Sequence, residues 1–201
     1  MSTLDIHQII VNGLSPLELH IAGGECVCLS GASGSGKSLL LRAIADLDPH
    51  AGEVLLDDQA CQSMAPTLWR RQVGLLQAES QWWASTVVEH MTTTEVPDRW
   101  LQRLGLSKDI CHRKVAELST GERQRLALLR LLVNQPKALL LDEPTASLDP
   151  ESTAAMEALI QEYCKQHQVP VLWVSHQPEQ IRRVASRHLR LEQNQIREVP
   201  L

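Results

Sequence analysis

The sequence predicts an α/β fold: a mainly parallel sheet with helices on both faces, an N-terminal antiparallel β layer and an inserted helical subdomain. Three observations predict it. Short apolar runs at residues 26–30, 73–77, 138–142 and 169–175 carry turn signals nearby, as strands buried on both faces do. These runs recur in the order strand, turn, helix, which packs helices against a parallel sheet. Strand-like runs at 4–11 and 17–21, separated by Asn12-Gly13 and Ser15-Pro16, and a similar run at 52–56, read as an antiparallel layer.

The elements follow in chain order. A helix is expected over 39–47, directly after the first parallel strand. Between 78 and 136 the strand signal fades and helices are expected at 86–91, 98–104 and 121–133, which marks this interval as the inserted helical subdomain of a single domain spanning 1–201. The last of these helices is bounded by Ser119 as N-cap with Glu122 as its capping-box partner and by Asn134 and Pro136 at its end; Leu126, Leu129 and Val133 recur at helical spacing. Asp149 is placed to cap a helix beginning at Pro150.

Composition excludes several classes of function. A net charge of -5 argues against a general affinity for nucleic acid, and the basic runs Arg123/Arg125/Arg130 and Arg182/Arg183/Arg187 read as helix faces. No apolar stretch approaches the ~18 residues that span a bilayer. Met1 to Gln8 lacks the basic start and apolar core of a signal peptide, so a cytosolic protein is expected. The five cysteines include no Cys-x-x-Cys pair, and Cys26 and Cys28 alternate so as to share one buried face of a strand.

Gly31-Ala32-Ser33-Gly34-Ser35-Gly36-Lys37-Ser38 satisfies the pattern G-x-x-x-x-G-K-S/T between an apolar strand and an apolar helix that includes Leu39. Its glycines let successive backbone N–H groups curl around a β-phosphate, Lys37 is placed to bridge β- and γ-phosphates, and the Ser38 hydroxyl suits Mg²⁺. The expected core is therefore that of a P-loop NTPase, with residues 31–39 holding the nucleotide. The same loop serves kinases, GTPases and DNA-repair ATPases. Leu139-Leu140-Leu141-Asp142 is an apolar strand ending in an acid, which puts Asp142 at the sheet's carboxyl edge as a further Mg²⁺ ligand, with Glu143 beside it.

Leu118-Ser119-Thr120-Gly121-Glu122, standing where the signature LSGGQ is usually written, together with Asp142-Glu143-Pro144 and the phosphate loop, resembles the ATP-binding subunits of ABC transporters. The resemblance runs from about residue 25 to 192 in motif order, with Thr120 and Glu122 departing from the signature. It implies an ATPase using ATP and Mg²⁺, with Glu143 as general base. His176 matches the switch histidine between γ-phosphate and base. Gln77 matches the Q-loop glutamine that touches metal and water. Ser119 and Gly121 would contact ATP held by a second copy, so an ATP-dependent homodimer is implied, and Ala146-Ser147-Leu148-Asp149 resembles the loop that crosses its interface. The resemblance also implies an integral membrane permease as partner, to which Trp82 and Trp83 are placed to dock, and a location on the cytoplasmic face of the inner membrane. The compact form and the run from Val169 to His176 are also similar to the small ATPases of iron-export-type ABC systems. Residues 4–21 contain no Phe, Tyr or Trp to stack on adenine, which leaves His7 or an aliphatic side chain such as Val11 for the base. A soluble ATPase of the same family, working on a partner outside the membrane, is the alternative.

Overall fold

The computed structural model of the chain describes residues 2–11, 14–92 and 96–201. The Asn12-Gly13 turn expected from sequence lies outside them. The first two strands, β1 (Leu4–Ile10) and β2 (Leu17–Ile21), pair antiparallel, and β1 also pairs with β4 (Ala51–Leu56), which carries the short β5 (Gln59–Ala60). The register along β1 shifts between Ile6 and Ile9 around Gln8, whose φ is 51°. Opposite this bulge Gly52 is required: a Cβ there would stand 2.2 Å from the Gln8 carbonyl oxygen.

The larger sheet has six strands in the order β10-β9-β3-β8-β7-β6. The strands β3 (Cys26–Gly31), β6 (Val73–Leu76), β7 (Ala138–Asp142), β8 (Val171–Val174) and β9 (Arg187–Glu192) run parallel, and β10 (Gln195–Val199) closes one edge antiparallel. Strand alternation divides the interior in two. Cys26, Cys28, Leu139, Leu141, Val171 and Trp173 face one apolar cluster, shared with α3 (Asp98–Arg103), α4 (Thr120–Leu132), α5 (Pro150–His167) and α6 (Pro178–Val184). Val27, Leu29, Leu140, Leu172 and Val174 face the other, closed by the antiparallel layer, α1 (Lys37–Ile44) and α2 (Pro66–Gln72). Cys26 and Cys28 do share a buried face, and burial pushes the Cys164 thiol nearby up to about 11.

Three expectations are corrected. The helix expected at 86–91 is only a 3-10 turn, Val88–His90, because the chain before it pairs in extended form: Thr86 bridges Lys114, and the Val87 and Val115 N–H groups donate to Arg113 and Ser85. Arg187 belongs to no helix face; it lies in β9 and pairs with Glu25 at 3.2 Å and Glu198 at 3.1 Å. The strand expected at 169–175 is shortened to β8, since Val169 N–H closes on Cys164 at the end of α5. Among the described residues no helix is long and apolar enough to cross a membrane.

Trp69 joins two helices. Fully buried, it donates Nε1–H to the Ile44 carbonyl at 2.9 Å and so satisfies a carbonyl at the end of α1. Trp69→Phe, which keeps the ring and loses the donor, is expected to cost about 1 kcal/mol, and Trp69→Ala about 3–5 kcal/mol. Both should shift the urea midpoint at constant slope; a wild-type midpoint in Trp69→Ala would refute the role.

The capping box at the start of α4 is complete: Glu122 N–H donates to Ser119 Oγ at 3.1 Å and Ser119 N–H donates to Glu122 Oε2 at 2.8 Å. The Ser119 N–H holds the Glu122 carboxyl below its ordinary range against an opposing desolvation. This contribution is present above the unfolded value of about 4.3 and is lost as pH falls through the lower folded value. Replacing Glu122 by Gln should therefore flatten the acid limb of a melting-temperature profile below about pH 4.3, and equal acid sensitivity in both proteins would exclude the linkage.

Candidate functional site

The parallel strands bring the site together at their carboxyl ends. In register, Leu29 of β3 lies beside Val174 of β8, and Val174 beside Asp142 of β7. Each chain therefore leaves the sheet at the same level: β3 into the phosphate loop, β7 into Asp142-Glu143, β8 into Ser175-His176. A cavity of about 200 Å³ is lined by Ser33, Gly34, Gly36, Lys37, Ser38, Leu39, Glu143 and His176. A larger one of about 460 Å³ adjoins it, lined by Gly31, Ala32 and His176 together with Arg182, His188 and Arg190. The smaller holds the lysine, the carboxylate and the loop; it is the candidate nucleotide site.

The loop's shape is fixed by its surroundings. Gly31 has φ 149°, and a Cβ there would lie 2.6 Å from the Leu191 carbonyl oxygen in β9. Gly36, the N-cap of α1, is left-handed at φ 102°. Lys37 is nearly buried and donates from Nζ to the Gly31 carbonyl at 3.0 Å, the Ala32 carbonyl at 2.8 Å and Ser35 Oγ at 3.4 Å. Burial lowers the affinity of its amine for the proton, while the Glu143 and Asp142 carboxylates raise it.

Glu143 is held in an unusual backbone. Its φ is 44°, a region a non-glycine residue occupies only under constraint, and its N–H donates to the Val174 carbonyl at 3.1 Å. Its Oε1 accepts from His176 Nε2 at 3.0 Å, with both side chains more than a third exposed. Imidazole and carboxylate thus meet at the open side of the phosphate loop.

The other sequence-derived residues divide. Asp142 ends β7 at the same edge, and Gln77 follows β6, where its carbonyl accepts from the buried Gln124 Nε2 at 3.1 Å. Ser119 and Gly121 stand at the start of α4 and are not among the residues lining the nucleotide cavity; Ser119 is exposed. His7 lies exposed in β1 with Nδ1 3.2 Å from Glu18, and Val11 is buried in the core, so neither lines the cavity.

Sequence reasoning missed two residues. Leu14 packs on the phosphate loop, its Cδ2 3.2 Å from where a Gly36 Cβ would stand; it has no periodic pattern to reveal it. Gln124 did leave a signal, a polar residue spaced with the buried Ala127 and Leu128 on one helix face.

The loop, the carboxylates and the histidine agree with what comparison finds. The family described as ABC transporter matches residues 14–146. The chain is 32% identical to the probable iron export ATP-binding protein FetA of Escherichia coli (strain K12), over 84% of this chain and 80% of that protein. It is 34% identical to the lipoprotein-releasing system ATP-binding protein LolD of Saccharophagus degradans, over 83% of this chain and 80% of that one. Protein STAR1 of Oryza sativa subsp. japonica is 38% identical, and there the chain spans only 53% of the relative. A bacterial Atm1-family ABC exporter solved with ATP bound superposes with a TM-score of 0.83 at 21% identity, over 98% of this chain and 38% of the exporter, and so shares the fold. The chain belongs to the ABC transporter family, as an ATP-binding member of it.

Proposed function

We propose that the chain is an ATPase that works as a dimer and drives a separate membrane-spanning partner. The observation that carries the reading is Glu143 at 3.0 Å from His176 on the rim of the phosphate loop, because nucleotide binding alone needs neither group. Residues 31–39 bind the phosphates of ATP. Lys37 exchanges the Gly31 and Ala32 carbonyls for β- and γ-phosphate oxygens. Glu143 takes the proton of the attacking water as its oxygen bonds to the γ-phosphorus, and the bond to the β-phosphate oxygen breaks to give ADP and phosphate. His176, donating to Glu143, keeps the carboxylate aimed and can turn a donor toward the γ-phosphate.

The hard oxygen donors of Ser38 and Asp142 fit Mg²⁺, with Gln77 at the neighbouring strand end as a further oxygen. When bound, the ion neutralises charge on the phosphate oxygens. Ser119 and Gly121 lie apart from the cavity of their own chain, which supports their use on ATP held by a second copy. There the N-terminus of the 13-residue α4 would favour the γ-phosphate charge.

For the membrane partner, on the cytoplasmic face, the supporting feature is an aromatic anchor after Gln77. Trp83 is 75% exposed, and the Arg130 guanidinium lies 4.5 Å from the Trp82 ring and 5.2 Å from that of Trp83.

Glu143→Gln should bind ATP, lose hydrolysis by about 100-fold or more, and accumulate as an ATP-bound dimer in size-exclusion chromatography. An unchanged rate would remove Glu143 as the base. Trp83→Ala should keep the ATPase rate of the isolated chain and weaken copurification of an integral membrane protein from detergent extracts. Recovery of no membrane protein by the wild-type chain would favour the soluble alternative.

A further inference from the structure

A buried amide ties together the two segments that carry Glu143 and His176. Gln180, in α6, is 2% exposed. Its Nε2 donates to Thr145 Oγ1 at 2.7 Å and to Glu157 Oε1 at 2.9 Å, and its Oε1 accepts from Ser175 Oγ at 2.7 Å. Thr145 follows Glu143 by two residues, and Ser175 immediately precedes His176. The Ser175 hydroxyl also accepts the Gln177 N–H at 3.1 Å, so the chain is held on both sides of His176.

The orientation of the amide is dictated from outside. Glu157 is 6% exposed and only accepts, so the NH₂ group must face it and the carbonyl oxygen must face Ser175. Glu157 is fixed in turn by the fork of Arg183, with Nε donating to Oε2 at 3.0 Å and Nη2 to Oε1 at 2.8 Å. Thr145, Ser175, Glu157 and Gln180 are all buried and all partnered, which makes the arrangement rigid. Glu143 needs such rigidity. A glutamate at φ 44° persists only where its surroundings over-determine it, and the Gln180–Thr145 bond fixes the turn by which the chain leaves that residue.

We propose that Gln180 is a positioning residue for ATP hydrolysis: through Thr145 and Ser175 it sets the separation and direction of the Glu143 carboxylate and the His176 imidazole. The inference rests on the hydrolytic reading above. Gln180 is not among the residues lining the nucleotide cavity, so it governs the chemical step and leaves ATP affinity alone.

The test uses the whole chain with Mg²⁺ and ATP. Thr145→Val removes the hydroxyl at nearly constant volume and should lower kcat about 10-fold, with KM and the Kd of a fluorescent ATP analogue within about twofold. Thr145→Ser should restore kcat. Gln180→Met should lower kcat further, about 100-fold; because it strands buried polar groups, its folding is checked by the same nucleotide binding. In a His176→Ala background, Thr145→Val should cost less than about twofold, since the contact it serves is already gone. Wild-type kcat in Thr145→Val, a loss confined to KM, or full additivity with His176→Ala would each overturn the positioning role. A wild-type chain that binds ATP without hydrolysing it would count against the hydrolytic reading itself.

Discussion

The in-register parallel pairing of β3, β8 and β7 is the constraint on which everything at the site depends. Because Leu29, Val174 and Asp142 sit at one level, three chain segments leave the sheet together and their first residues can touch. The same register sorts the interior: Cys26 and Cys28 go to one core, Val27 and Leu29 to the other. A slip of one residue would exchange these faces and turn Asp142 away from the loop, so burial on both sides enforces the geometry of the chemistry. The site is aligned by the hydrophobic effect before any polar contact is made.

Polar contacts then refine what the sheet has aligned. Lys37 is held by loop carbonyls, Glu143 by the Val174 carbonyl and His176, and the segments bearing them by a buried amide. The insertion after β6 is organised differently. Its regular structure is sparse, and one imidazole does much of the holding: His90 Nε2 accepts the N–H groups of Trp83 and Ala84 at 2.8 and 2.9 Å, while Nδ1 lies 2.9 Å from the Thr86 carbonyl. Since a carbonyl only accepts, the proton sits on Nδ1 and Nε2 is free to take both amides.

Much of this was legible because it rests on local pattern. The runs at 26–30 and 138–142 are apolar enough to be central strands, and Ser119 with Glu122 spelled out a capping box that the structure completes. Where the answer depends on distant partners, pattern fails. Residues 86–91 have helical character yet are drawn into an extended bridge with Lys114, some two dozen positions later. The hairpin of β9 and β10 turns through Gln193 and Asn194, both left-handed at φ 47° and 65°, without the glycine that marks such turns. The short helices α2 and α6 each begin with proline, a start signal too brief beside seven residues of weak periodicity. Gln180 resembled any surface glutamine until Thr145 and Glu157, from two other elements, were seen around it.

The strand that leads into the phosphate loop has as its neighbours β8 and β9, both from the last fifth of the chain. Synthesis therefore exposes β3 and the loop long before anything exists to flank them. The carbonyl of Leu191 that braces Gly31 is among the last groups to be made. With contacts this distant in sequence, closing the sheet is the slow step of folding. A nascent chain would carry the motif for most of its translation without the pocket, so competence to hold nucleotide arrives near the end of synthesis and reports that the molecule is whole.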